Sequence, residues 1–135
     1  MRVLLAVLTS LFLGTAWAQM EPGEWQFTST ATSAMFQQPQ TTTITHCVRP
    51  EDVGDPQRWM SKPPSSDCTS TPGERTASTY SWEFSCPRSN LRGKGTVLYG
   101  QGTLESDLQM TGDVSGQKFD ISTKTSGKRL GPCKA

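Results

Sequence analysis

The chain has 135 residues, with thirteen basic and twelve acidic side chains, one histidine and four cysteines, and a third of its residues are hydrophobic. So short and so nearly neutral a chain excludes a large enzyme, a multidomain protein and a strongly basic nucleic-acid binder. Beyond residue 18 only fifteen residues are Ile, Leu, Val or Phe, about 13% of what remains, too few for an ordinary core to offset chain entropy unaided.

Met1-Arg2 gives a positive start, Val3 to Leu13 an apolar run, and Ala16-Trp17-Ala18 a small-x-small exit before Gln19. This pattern predicts a secretory signal over 1–18, cut after Ala18, and one β-rich domain over 19–135. The run is too short to span a bilayer and no second one follows, so the expectation is a soluble periplasmic or secreted protein without a transmembrane segment. In an oxidising space Cys47, Cys68, Cys86 and Cys133 are expected to form two disulfides. Their spacings of 21, 18 and 47 residues lack the close pairs of a thiolate metal site. Sequence leaves three connectivities. The sequential one, Cys47 with Cys68 and Cys86 with Cys133, is favoured because the first pair brackets a Pro-rich excursion and the second ties the chain end to the body.

Period-two alternation recurs along the chain. Trp25 and Phe27 alternate with polar neighbours, and Thr41 to Val48 is a β-branched run. Thr79 to Cys86 has an aromatic or cysteine at every even position, Gly95 to Tyr99 is short, and Thr103 to Met110 and Lys118 to Lys124 repeat the pattern. Such segments are strands with one buried and one wet face. Turn signals at Pro72-Gly73, Pro87 to Asn90, Gly100 to Gly102 and Gly112 to Gly116 favour hairpins over crossovers. Pro50 to Met60 is a helical candidate interrupted by Gly54 and Pro56, good for one or two turns before the loop Lys62 to Asp67. The predicted fold is all-β: a single antiparallel meander of about seven strands, a curved sheet or partial barrel, with one short helical turn and two disulfides.

Groups that could do chemistry are sparse. His46 is the lone histidine, in a strand with Ile44 and Val48 on its face. A hydrolase would have to use it, yet no Gly-x-Ser-x-Gly elbow accompanies it. Glu51, Asp52 and Asp55 lack the ligand spacing of a calcium loop, and the short glycine motifs Gly93-Lys94-Gly95 and Gly100-Gln101-Gly102 read as strand kinks and a turn. No enzyme, cofactor or metal site is expected. Residues 19–85 carry a balance of −4 and residues 86–135 one of +4. A Cys86 to Cys133 bridge would gather Arg88, Arg92, Lys94, Lys128, Arg129 and Lys134 into a basic patch suited to an anionic surface. Trp25, Phe27, Tyr80, Trp82, Phe84 and Tyr99 could share one face, either as core filling, the favoured reading, or as a surface for a ligand.

Pro22-Gly23-Glu24-Trp25, a strand ending at Cys47 before Pro50-Glu51-Asp52, Asp67-Cys68, Trp82 to Cys86, and the closing Arg129-Leu130-Gly131-Pro132-Cys133 together resemble the family catalogued as domain of unknown function 3617. The resemblance implies a small exported protein of Gram-negative bacteria and brings no activity. The expected function is a non-enzymatic binding or accessory module for an envelope lipid, glycan or small apolar ligand. The alternative is a protein-interaction or structural component of the envelope that pairs through a sheet edge.

Overall fold

The computed structural model describes residues 20–54 and 67–134. The signal segment, the distal half of the helical candidate with Asp55, Trp59 and Met60, and most of the loop Lys62 to Asp67 lie outside them. Seven strands form: β1 (Gly23–Ser33), β2 (Gln40–Val48), β3 (Thr69–Arg75), β4 (Thr79–Cys86), β5 (Leu91–Gly100), β6 (Thr103–Val114) and β7 (Gln117–Gly131). They build one sheet in the order β2-β1-β7-β6-β5-β4-β3, with every neighbouring pair antiparallel. β3 to β7 are the predicted meander; β7 then takes β1 as its next neighbour and β2 lies beyond. The sheet does not close, because β2 and β3 are its two edges.

The local chemistry explains most of the connections. Ser115 and Gly116, at φ 54° and 80°, join Val114 to its partner Gln117 as a two-residue turn with both residues left-handed, the turn whose twist matches the flanking strands. Gly112, read from sequence as part of that turn, is instead a strand residue opposite Phe119. Pro72-Gly73 likewise falls inside β3 rather than between strands; a proline is tolerated there because an edge strand has one side without ladder bonds. The helical candidate shrinks to a single 3-10 turn, Pro50–Asp52, where the Asp52 N–H donates to the Arg49 carbonyl at 2.9 Å.

One face of the sheet is buried. Trp25, Phe27, Val48, Tyr80, Trp82, Val97 and Leu104 pack with Met20 into one cluster, and Phe84, Cys86 and Leu91 form a second. β1 and β4 lie four interstrand spacings apart, roughly 19 Å on a flat sheet. Trp25 and Trp82 are nonetheless buried in one cluster with no helix or second sheet laid over them among the described residues, so the sheet must curl to cover its own rings. Register shows how the rings fit. Trp82 lies opposite Gly95 and Phe84 opposite Gly93, while Phe27 lies opposite Gly127 and Phe119 opposite Gly112. A Cβ placed on any of these four glycines would collide with the facing ring. These four rings therefore lie over cross-strand glycines, which shields backbone that would otherwise be bare and frees the concave side for curvature.

The disulfides correct the expected connectivity: Cys47 bonds Cys133 and Cys68 bonds Cys86, with Cα separations of 5.4 and 4.1 Å. The cause is register. Thr69 faces Ser85, so the preceding Cys68 meets Cys86. Cys47 faces Glu24, which faces Gly131 two residues before Cys133. Ser85 aligns through Arg92 and Thr111 with Asp120, eleven residues along β7 from Gly131, a distance of roughly 35 Å. Neither sequential pair could close across it.

Two outcomes follow. Gly95→Ala overpacks the Trp82 ring and should cost about 1–3 kcal/mol in urea unfolding, whereas Gly54→Ala, with nothing within 4 Å among the described residues, should change little. In the chain-entropy model the 86-residue loop closed by Cys47–Cys133 is worth about 4.5 kcal/mol and the 18-residue loop about 3. The Cys47→Ser/Cys133→Ser pair should therefore destabilise more than Cys68→Ser/Cys86→Ser; equal urea midpoints would refute that ordering.

Candidate functional site

Five of the six residues assigned to a ligand face are buried, Trp25 to 1% and Trp82 to 2% exposure; Tyr99 is half-buried against the same cluster. Within β1 the Trp25 and Phe27 rings stack 6.1 Å apart, and within β4 those of Tyr80 and Trp82 stack 5.8 Å apart. The Trp25 Nε1–H donates to the Glu21 carbonyl at 2.9 Å, so its polar end is satisfied internally. These rings stack on one another, with Phe27 over Gly127 and Trp82 over Gly95, and that contact is what fills the concave side.

The six basic residues do not assemble, since the bridge expected to gather them is absent. Arg92 and Lys94 stand on the convex face of β5, opposite Thr111 and Gln109. Lys128 stands at the other end of the sheet, opposite Thr103, and Arg88 follows β4 in the Pro87–Ser89 turn. Arg129 and Lys134 are occupied locally: the Arg129 Nε donates to the Pro22 carbonyl at 2.9 Å, and the Lys134 ammonium faces the Glu24 carboxylate at 3.8 Å. A convex-face groove of about 600 Å³ does contain Lys94 and Lys124, but beside Glu74, Glu105 and Asp107. Cations there are offset by anions.

The two edges differ sharply. β3 carries Pro72, Gly73, Glu74 and Arg75 and breaks register between Pro72 and Arg75; proline, charge and irregularity are the devices that stop an edge from templating further strands. β2 has none of them. Its sequence Gln40-Thr41-Thr42-Thr43-Ile44-Thr45-His46-Cys47-Val48 contains no Lys, Arg, Asp, Glu, Pro or Gly, and all but Val48 are exposed. It pairs with β1 over nine consecutive residues without a register shift. The convex row of β2 is Thr41, Thr43 and Thr45. Two of these meet threonines of β1 through their hydroxyls, Thr43 with Thr28 at 3.2 Å and Thr41 with Thr30 at 3.1 Å. Its concave row is Gln40, Thr42, Ile44 and His46, with Ile44 56% exposed. His46 lies opposite Trp25 on the row of Ile44 and Val48, and among the described residues no group of three His, Cys, Asp or Glu side chains is placed to hold a metal ion.

A family model described as a protein of unknown function, DUF3617, matches residues 20–133. The chain belongs to the DUF3617 family. No curated protein and no solved structure matches it. The matched span begins at Met20, which packs in the larger cluster, and ends at Cys133, so it includes both bridges. Two disulfides in this DUF3617 chain fit an oxidising environment outside the cytoplasm, and no helix among the described residues is long and apolar enough to cross a membrane.

One polar cluster of this DUF3617 member was not visible in its sequence. The Arg75 guanidinium lies 4.9 Å from the centre of the Tyr80 ring and its Nη2 donates to the Gly54 carbonyl at 3.0 Å. Beside it the Arg75 Nε and the Tyr99 hydroxyl are buried without hydrogen-bond partners among the described residues. Burial pushes the Tyr99 hydroxyl up from its ordinary value near 10 to about 12, against the opposing pull of the Arg75 charge and with a small contribution from Tyr80. A raised folded-state value means that the neutral phenol stabilises the fold below pH 10, and that this stability is lost as pH climbs through 10 towards 12. Tyr99→Phe removes the orphaned hydroxyl and that titration together. At pH 7 it should be neutral or stabilising by up to about 1 kcal/mol, and its advantage over the wild type should widen in thermal melts above pH 10. A constant difference from pH 7 to 11 would contradict the assignment.

Proposed function

We propose that this chain is an exported, non-enzymatic accessory module of the Gram-negative periplasm that works by offering β2 to an extended strand of another polypeptide. The observation that carries the reading is the asymmetry between the edges: β3 is blunted by Pro72, Glu74, Arg75 and a register break, while the nine residues of β2 are regular and free of charged side chains. Strand addition takes affinity from main-chain hydrogen bonds and specificity from alternate side chains, and β2 supplies both in a solvent-exposed form. The aromatic-ligand reading has weaker support, because a lipid or apolar molecule would have to displace rings that already fill the concave face. The non-enzymatic reading rests on the scarcity of titrating groups in the sequence, whose single histidine, His46, sits on an exposed edge strand. The signal-like segment and the two disulfides support export.

A photo-activatable residue at Thr43 in cells expressing the full chain should give a covalent adduct that is lost on adding Ile44→Lys. The same probe at Glu83, exposed on the convex side of β4, should give none. Equal adducts from both positions, or none from Thr43, would overturn the proposal. Mass spectrometry of the periplasmic fraction should find the chain starting at Gln19; retention of residues 1–18 would count against export by a cleaved signal.

A further inference from the structure

We infer that the strand received by β2 is β2 of a second copy of this chain, antiparallel about a two-fold axis at Thr43. The inference rests on the edge reading above and names its partner. Two identical strands can pair about such an axis only with a residue opposite itself, which keeps convex side chains against convex ones. With Thr43 on the axis, Thr41 meets Thr45, Thr42 meets Ile44 and Gln40 meets His46 of the other copy. No like charges are brought together, and five of the seven cross-strand pairs from Gln40 to His46 are β-branched on both sides, the kind that packs best on a pleated surface.

Threonine pairing is already the chemistry of this region. The β1–β2 seam joins Thr28 to Thr43 and Thr30 to Thr41 through their hydroxyls, and β2 presents Thr41, Thr43 and Thr45 along its outer edge as well. A complement to that row is a neutral β-branched strand able to both donate and accept at matching two-residue intervals, and β2 itself is such a strand. The side chain of Ile44, 56% exposed, would gain cover from Thr42 of the other copy. The blunted β3 fits the same assembly. If β2 could pair with β3 of a neighbour, the contact would be head-to-tail and would run on into fibres. Pro72, Glu74, Arg75 and the register break at β3 oppose that contact, whereas β2 with β2 closes after two copies into one continuous fourteen-stranded sheet.

The purified disulfide-intact protein should run at twice the monomer mass in sedimentation velocity and native mass spectrometry at tens of micromolar, and Ile44→Lys should return it to a monomer that still melts cooperatively, at a midpoint that no longer depends on protein concentration. Register is read by cysteine cross-linking. Opposite residues on antiparallel strands sit about 4.5–5.5 Å apart, within reach of a disulfide. Thr43→Cys should therefore give a covalent dimer under mild oxidation, while Gln40→Cys, six residues from its own copy, should not; the native bridges are verified by mass in both. A dimer in which Gln40→Cys cross-links as well as Thr43→Cys overturns the Thr43 axis. A monomer at every concentration overturns the homodimer; if the Thr43 photo-adduct in cells is then heavier than the monomer by a different chain's mass, the edge reading survives, and if no adduct forms, both fall.

Discussion

The placing of large rings over cross-strand glycines is the constraint on which the rest of this fold depends. A chain with fifteen Ile, Leu, Val and Phe residues beyond position 18 cannot build two opposed apolar layers. It builds one and bends it. Trp82 on Gly95, Phe84 on Gly93, Phe27 on Gly127 and Phe119 on Gly112 let each ring lie along the sheet, so that a curled single sheet buries Trp25 and Trp82 in one cluster. An aromatic buries roughly 150–250 Å², which is how a few of them substitute for a larger aliphatic core.

Curling without closing leaves two edges, and the remaining features follow from managing them. The Cys68–Cys86 bridge ties the start of β3 to the end of β4, and the Cys47–Cys133 bridge ties β2 to the chain end across β1. Each bridge thus anchors an edge strand, at opposite ends of the sheet. A basic patch could not coexist with this arrangement, because the cations it needed are distributed between those two ends. The aromatic residues expected to line a pocket are packed together as the core.

Much of this was legible in the sequence. The alternation in Thr79 to Cys86 gave the buried face of β4 residue by residue, since strand periodicity is local and strong. Gly93, Gly95 and Gly112 were visible only as kinks or turn signals. Their role depends on which ring lies across the strand pair, and cross-strand register is not a local property. The disulfides failed for the same reason: the Pro-rich excursion that Cys47 and Cys68 bracket favoured joining them, while the register across the seven strands sets them at opposite ends of the sheet. The β-branched character of Thr41 to Val48 was plain, yet only the strand order shows that this run, and not another, is the unblunted edge. Tyr99 was legible as a member of the aromatic face, but its place beside Arg75 was not, because that depends on where the register break in β3 sets Arg75 against Tyr80.

The account stands on the aromatic residues being core, seated on glycine, rather than a lining for a ligand. The most direct measurement is the proton NMR spectrum of the disulfide-intact protein with its glycines assigned. The ring currents of Trp82, Phe84, Phe119 and Phe27 should carry the Hα resonances of Gly95, Gly93, Gly112 and Gly127 well upfield of those of Gly54 and Gly116, where no ring among the described residues comes within 4 Å of the Cβ position. Glycine resonances at ordinary positions, together with shifts of the Trp25 and Trp82 indole signals on titration with an apolar probe, would show an accessible aromatic surface and contradict it.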